Sequence, residues 1–169
     1  MGFNELQAFL ERGGTILPIL LVVTFFMWAM ILERFFYFQF AHKVVANEAV
    51  SEWQSRSDRK STYAHWVKDK LVSEVRQSAE MFIPITKALV ALAPLLGILG
   101  TVTGMIEVFE IMAYTGGSDA KAMSAGVSKA TIPTMAGMVA SLSGIIFTSG
   151  LDKRAARSVQ KVADRLEIG

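Results

Sequence analysis

The chain has no cysteine, which excludes disulfides, thiolate metal sites and cysteine nucleophiles. It has two histidines, His42 and His65, in a polar segment and without the spacing of metal ligands, so no metal site is expected. Charge is sparse, at 19% of residues, and nearly balanced at a formal net +2. It contains no basic run of the kind that follows a phosphate backbone, so nucleic acid is not an expected partner. A P-loop, a nucleophile–base pair and a relay of acids and bases are also missing. No cofactor is therefore expected, and the chain does not read as an enzyme. The first residues lack a basic n-region and no small-residue cleavage site follows the first apolar stretch. That stretch reads as a retained span rather than a signal peptide.

What the chain does have is apolar residues in blocks. Its 169 residues suffice for one domain; 52% are hydrophobic and the mean hydropathy is +0.40. Those averages only slightly exceed those of a soluble domain, so the distribution decides the class. Residues 15–38, 87–112 and 126–150 each hold an apolar core near the roughly 20 residues that cross a bilayer. The expected fold is an all-α membrane protein with three transmembrane helices. Residues 1–14 form a short amphipathic pattern, with Asn4 and Gln7 placed for a capping box, ended by Gly13-Gly14. Residues 39–86 read as a helical hairpin with a turn near 54–62, its second helix extended by the second span. Residues 113–125 read as a turn. Residues 151–169 form an amphipathic helix, with Leu151, Ala155, Val159, Val162 and Leu166 on one side.

Lysine and arginine set the orientation. Only Arg12 precedes the first span and only Lys121 lies in residues 113–125. Residues 39–83 carry Lys43, Arg56, Arg59, Lys60, Lys68, Lys70 and Arg76, and the tail carries Lys153, Arg154, Arg157, Lys161 and Arg165. The positive-inside bias then predicts a periplasmic N-terminus and turn, with the hairpin and C-terminal helix in the cytoplasm. Phe35, Phe36, Tyr37, Phe38 and Phe40 around the end of the first span fit an aromatic belt.

Two spans are not merely apolar. In the second, Pro94, Gly97, Thr101 and Gly104 share a face with Gly100 beside them, and Gly100 and Gly104 make a G-x-x-x-G pair. In the third, Gly126, Ala130, Thr134, Gly137, Ser141, Gly144 and Thr148 form one stripe, opposite Ile132, Met135, Val139, Leu142 and Ile146. The glycines read as helix-packing positions. Thr101, Thr134, Ser141 and Thr148 are candidate pore-lining hydroxyls; each hydroxyl can equally bond back to its own helix. Glu107 is a candidate for the proton path, or a carboxylate in the outer headgroup zone. Lys129 has the length to snorkel.

The stretch Ala93-Pro-Leu-Leu-Gly-Ile-Leu-Gly-Thr-Val-Thr-Gly-Met105 resembles the second-span signature of the MotA/TolQ/ExbB proton-channel family. Gly126-Val-Ser-Lys-Ala-Thr-Ile-Pro-Thr-Met-Ala-Gly137 is similar to its third-span signature, and Glu33-Arg34 with the following aromatics resembles its end of span one. The short length and compact hairpin look most like the ExbB branch. The resemblance implies a bacterial inner-membrane subunit that forms a homo-pentamer, a helix bundle around a pore. Within the pore, an ExbD-like single-span protein supplies the protonatable aspartate. Proton flow would then drive a TonB-like protein that powers outer-membrane uptake of iron chelates and cobalamin. The resemblance also implies that Thr101 and Thr134 face that aspartate. The chain departs from the family at Lys129, where ExbB members commonly carry glutamate; Glu107 is the candidate to compensate. Two other readings stay open: a TolQ-like subunit of the Tol-Pal envelope system, and a structural membrane scaffold.

Overall fold

The structure, a computed structural model, describes residues 13–58, 61–117 and 119–166. The amphipathic pattern expected over residues 1–12 lies outside these residues. Among the described residues all regular structure is helical: α1 (Ile16–Phe36), a π-helical turn (Tyr37–Ala41), α2 (His42–Ser55), α3 (Thr62–Glu80), α4 (Ile83–Thr115) and α5 (Ala120–Arg165). Three helical stretches, Ile16–Ser55, Thr62–Thr115 and Ala120–Arg165, are long and apolar enough to cross a membrane. At about 1.5 Å per residue, the 33 residues of α4 and the 46 of α5 both exceed the roughly 30 Å hydrocarbon core.

Local chemistry sets the helix ends. Gly14 takes a positive φ of 67°, ending the turn that precedes α1. The Ser61 hydroxyl accepts from the Ala64 amide at 3.2 Å and caps α3. The Asp119 carboxylate accepts from the Ala122 amide at 2.9 Å and opens α5, after a turn built on positive-φ Gly116 and Gly117. One boundary departs from the sequence expectation. The hairpin's second helix and the second span do not run on as one helix. Met81 is extended and Phe82 adopts a φ of 65°, so the backbone breaks between α3 and α4. Phe82 is neither Gly nor Asn, and a bulky residue there is strained.

The described chain divides into two compact units, one drawn from Met1–Trp28 and Lys87–Ile145, the other from Ala29–Thr86 and Ile146–Gly169. In the first, Leu17, Leu20, Ala93 and Ala140 form a buried cluster, with Leu96, Ile132 and Ala136 against it. A groove of about 770 Å³ lies between Leu17–Trp28 side chains of α1 and Ile132–Ser143 side chains of α5 and is almost wholly apolar. In the second, Ala49, Trp53, Ala64, Leu71, Val75, Ala79, Leu151, Ala155, Val159, Val162 and Leu166 are buried. Along α5 the buried positions Pro133, Gly144 and Ala155 recur every eleven residues, as do Gly137, Thr148 and Val159. An eleven-residue repeat is about 3.67 residues per turn, close to that of an ideal straight helix.

Candidate functional site

The glycines of α4 and α5 meet across an antiparallel seam. A methyl group on Gly97 would lie 2.9 Å from the Thr134 Cα, and one on Gly137 would lie 2.5 Å from the Ala93 carbonyl oxygen. Gly100 faces the Pro133 ring, Gly104 faces Ala130, Gly126 faces Val108, and Gly144 faces Val90 and Met27. The partners descend α4 as they ascend α5, which fixes the register. Each close approach is possible because a Cβ is missing, and dispersion contacts replace it at short range.

The hydroxyls differ in what they do. Thr134 Oγ1 donates across the seam to the Gly97 carbonyl at 2.8 Å. Thr101 Oγ1 donates within its own helix to the Ile98 carbonyl at 2.7 Å, the back-bonded option. Thr103 shares its proton between the Leu99 and Gly100 carbonyls. Thr101 and Thr134 are both half-buried, so an edge of each remains accessible. Ser141 and Thr148 are buried, at 5% and 4% exposed. The face opposite the stripe is apolar and open, with Met135, Val139, Leu142 and Ile146 all more than 60% exposed.

Glu107 and Lys129 are partners. Lys129 Nζ lies 2.7 Å from Glu107 Oε2, joining α4 to α5 near one end of the seam. The Lys129 stem also runs beside Gly14, where an added methyl would meet its Cε at 3.2 Å. The side chains of Lys129 and Glu107 are 36% and 48% exposed, so the pair adds little to stability, about 0–1 kcal/mol. Its structural consequence is that each charge neutralises the other locally.

Sequence reasoning treated Arg34 only as the end of a span. The structure makes it the centre of a cluster in the second unit. Arg34 is 3% exposed and grips Glu33 through Nε at 2.6 Å and Nη2 at 2.9 Å. Its Nη1 donates to the Ser78 carbonyl in the last turn of α3 at 3.0 Å, where a helix has unsatisfied acceptors. Its guanidinium lies 4.5 Å from the Tyr37 ring centroid and 5.2 Å from that of Phe82. The arginine thus ties the end of α1 to the strained break before α4. The adjacent charges amid aromatics were the available signal. Among the described residues no group of His, Asp and Glu is placed to hold a metal ion.

The sequence pattern of the MotA/TolQ/ExbB proton channel family matches residues 29–164. A Synechocystis sp. protein named biopolymer transport protein ExbB-like 1 is 35% identical over 81 residues, 46% of this chain and 30% of the relative. A second, named ExbB-like 3, from the same organism, is 29% identical over 70 residues, 40% of this chain and 33% of the relative. The matched stretches thus span about a third of the length of these curated relatives. No solved structure matches the chain.

Proposed function

Because the chain belongs to the MotA/TolQ/ExbB proton channel family, and within it is most like ExbB, we propose that it is the multi-pass subunit of a proton-driven energy-transducing complex. The observation that carries this reading is a seam that, inside its apolar core and away from the Glu107–Lys129 pair at its end, is polar only through hydroxyls. No charged residue lies within residues 15–32, 88–106 or 130–151, so the apolar cores hold no group that can carry a proton at neutral pH. Half-exposed Thr101 and Thr134 can hydrate or hydrogen-bond a titrating acid but cannot replace it. The acid comes from a second protein, an ExbD-like single span bearing an aspartate. A carboxylate moving into hydrocarbon needs such polar company.

In this reading several copies, five by the family resemblance, surround the partner span in a bacterial inner membrane. The apolar groove between α1 and α5 and the open face through Val139 are available to neighbouring copies and lipid. The N-terminus lies in the periplasm. The α2–α3 hairpin and the end of α5 lie in the cytoplasm, as their basic residues require. One proton crossing about 100 mV releases roughly 2.3 kcal/mol, enough over several protons to drive a TonB-like protein in uptake of iron chelates and cobalamin.

The test is co-purification that identifies the single-span partner and counts subunits, followed by proton flux in liposomes. Flux should fall for Thr101→Val and Thr134→Val with assembly intact. Unchanged flux in both assembled variants overturns the reading in favour of a scaffold. If deletion of the gene gives detergent sensitivity rather than failed iron acquisition, the energised task is the Tol-Pal one.

A further inference from the structure

The second unit contains a pocket, half polar and half apolar, that the channel reading does not use. It has a volume of about 300 Å³ and is lined by Phe35, Phe38, Gln39 and His42 on one side, and by Arg154, Arg157, Ser158 and Lys161 from α5 on the other. Spacings of three and four residues put the three cations on one face of α5. Among the described residues no carboxylate pairs with any of the three, so their charges add. Arg154 is positioned by the Phe35 ring, 5.3 Å from its guanidinium carbon. Ser158 gives its hydroxyl proton to the Arg154 and Ala155 carbonyls, leaving its oxygen at the pocket wall.

A second, independent feature lies on the opposite wall. His42 is 8% exposed, and its Nδ1 is buried with no hydrogen-bond partner. The ring is held in place beside Tyr37 and Phe38, whose centroids lie 6.1 and 5.4 Å away. Buried polar nitrogens are nearly always satisfied, and this unsatisfied one belongs to a side chain that lines the pocket. The wall itself is a π turn, a form that re-aims side chains and recurs at functional sites. Phe36 just before the turn and Phe40 within it are exposed, at 57% and 69%. That is where a headgroup-level belt is expected.

We propose that this pocket binds a phosphate-bearing anion, with Arg154, Arg157 and Lys161 facing its charge and His42 and Gln39 completing its hydrogen bonds. The volume lies at the small end of ligand sites and suits a phosphate with a glycerol-sized group attached. The same chemistry is offered by an anionic phospholipid headgroup and by free phosphate. Placing the pocket at headgroup depth rests on reading the first apolar helix as a span. The anion recognition rests on the pocket alone.

The test uses the full chain in detergent and native mass spectrometry. It is titrated separately with dihexanoyl phosphatidylglycerol, dihexanoyl phosphatidylcholine and inorganic phosphate. Arg157 and Lys161 are exposed, so the double variant R157Q/K161Q is expected to fold. The control K153Q/R165Q removes the same charge from exposed positions of the same helix outside the pocket. Phosphatidylglycerol or phosphate should bind the parent chain, and the pocket variant should bind about thirtyfold more weakly, from roughly fivefold per cation near an anionic headgroup. The control should bind as the parent does. Binding of phosphatidylglycerol without competition by phosphate identifies a lipid headgroup; effective competition identifies free phosphate. Equal binding of phosphatidylcholine, or an equal loss in the control, overturns the proposal. Proton flux is a separate readout, so a parent chain that binds neither anion while its flux is intact counts against the pocket and not against the channel.

Discussion

Thr134 on α5 donates its hydroxyl to the carbonyl of Gly97 on α4 at 2.8 Å, where a methyl on Gly97 would lie only 2.9 Å from the Thr134 Cα. The two features depend on each other. With no Cβ on Gly97, the carbonyl is within reach of a short side chain on the facing helix. The hydroxyl in turn gives an otherwise dispersive seam a directional contact. The accessible edge of Thr134 is therefore held in one orientation, as a residue facing a partner's acid would require.

Replacing Thr134 with Val keeps the shape and removes the donor. Interhelical hydrogen bonds in membranes contribute about 0.6 kcal/mol on average and up to about 1.7, so Thr134→Val should lower stability by that order in an SDS titration. Thr134→Ser should recover most of it. A valine variant as stable as the parent would show that the bond is incidental to the seam.

Gly137 and Gly150 make a matched pair on α5. A methyl on Gly137 meets the Ala93 carbonyl oxygen at 2.5 Å, whereas nothing lies within 4 Å of one on Gly150. Gly137→Ala should destabilise by about 1–3 kcal/mol through overpacking. Gly150→Ala should be neutral, or stabilising by up to about 1 kcal/mol through helix propensity. Thermal aggregation of the two purified variants, measured side by side, reads the difference.

These contrasts show what the sequence could and could not reveal. Three apolar helices were legible because hydrocarbon thickness fixes a length and excludes charge. Helical spacing marks which residues share a face, but not the register against the next helix. For that reason Thr134 bonding across to Gly97 was indistinguishable from Thr134 bonding back to its own turn. The resemblance links Glu107 to Lys129 as a compensating carboxylate, but the two lie 22 residues apart, and their direct ion pair exists only once α4 and α5 are antiparallel. The break at Phe82 left no mark, since positive φ is ordinarily signalled by Gly or Asn. The π turn has no composition of its own, so the burial of His42 was hidden inside a segment that reads as polar.

Arg34 should not tolerate exchange for Lys. A lysine keeps the charge but cannot grip Glu33 at two points, reach the Ser78 carbonyl and lie flat beside Tyr37 and Phe82 together. A hydrogen bond to a charged group contributes about 1.5–3 kcal/mol, so Arg34→Lys should cost about that much. The loss should appear first as proteolytic nicking near Met81–Phe82, where the backbone is already strained. An unnicked, fully stable Arg34→Lys protein would contradict the role given to this arginine.

His42 makes stability depend on acid. Burial holds its imidazole pKa below the ordinary value of 6.5. Between that value and the lower folded one, the unfolded chain binds more protons than the folded chain, so stability rises with pH across the window. The contribution is fully present above about pH 6.5 and is lost as pH falls through the folded pKa. Among the described residues lining the pocket no anion opposes the shift: Arg154, Arg157 and Lys161 share it with the ring, and Tyr37 and Phe38 are the aromatic neighbours. Denaturant unfolding at a series of pH values should show a decline below pH 6.5 that His42→Gln abolishes. A glutamine variant with the same acid decline would assign the loss to other groups. A resonance of His42 titrating at or above 6.5 would remove burial as its cause.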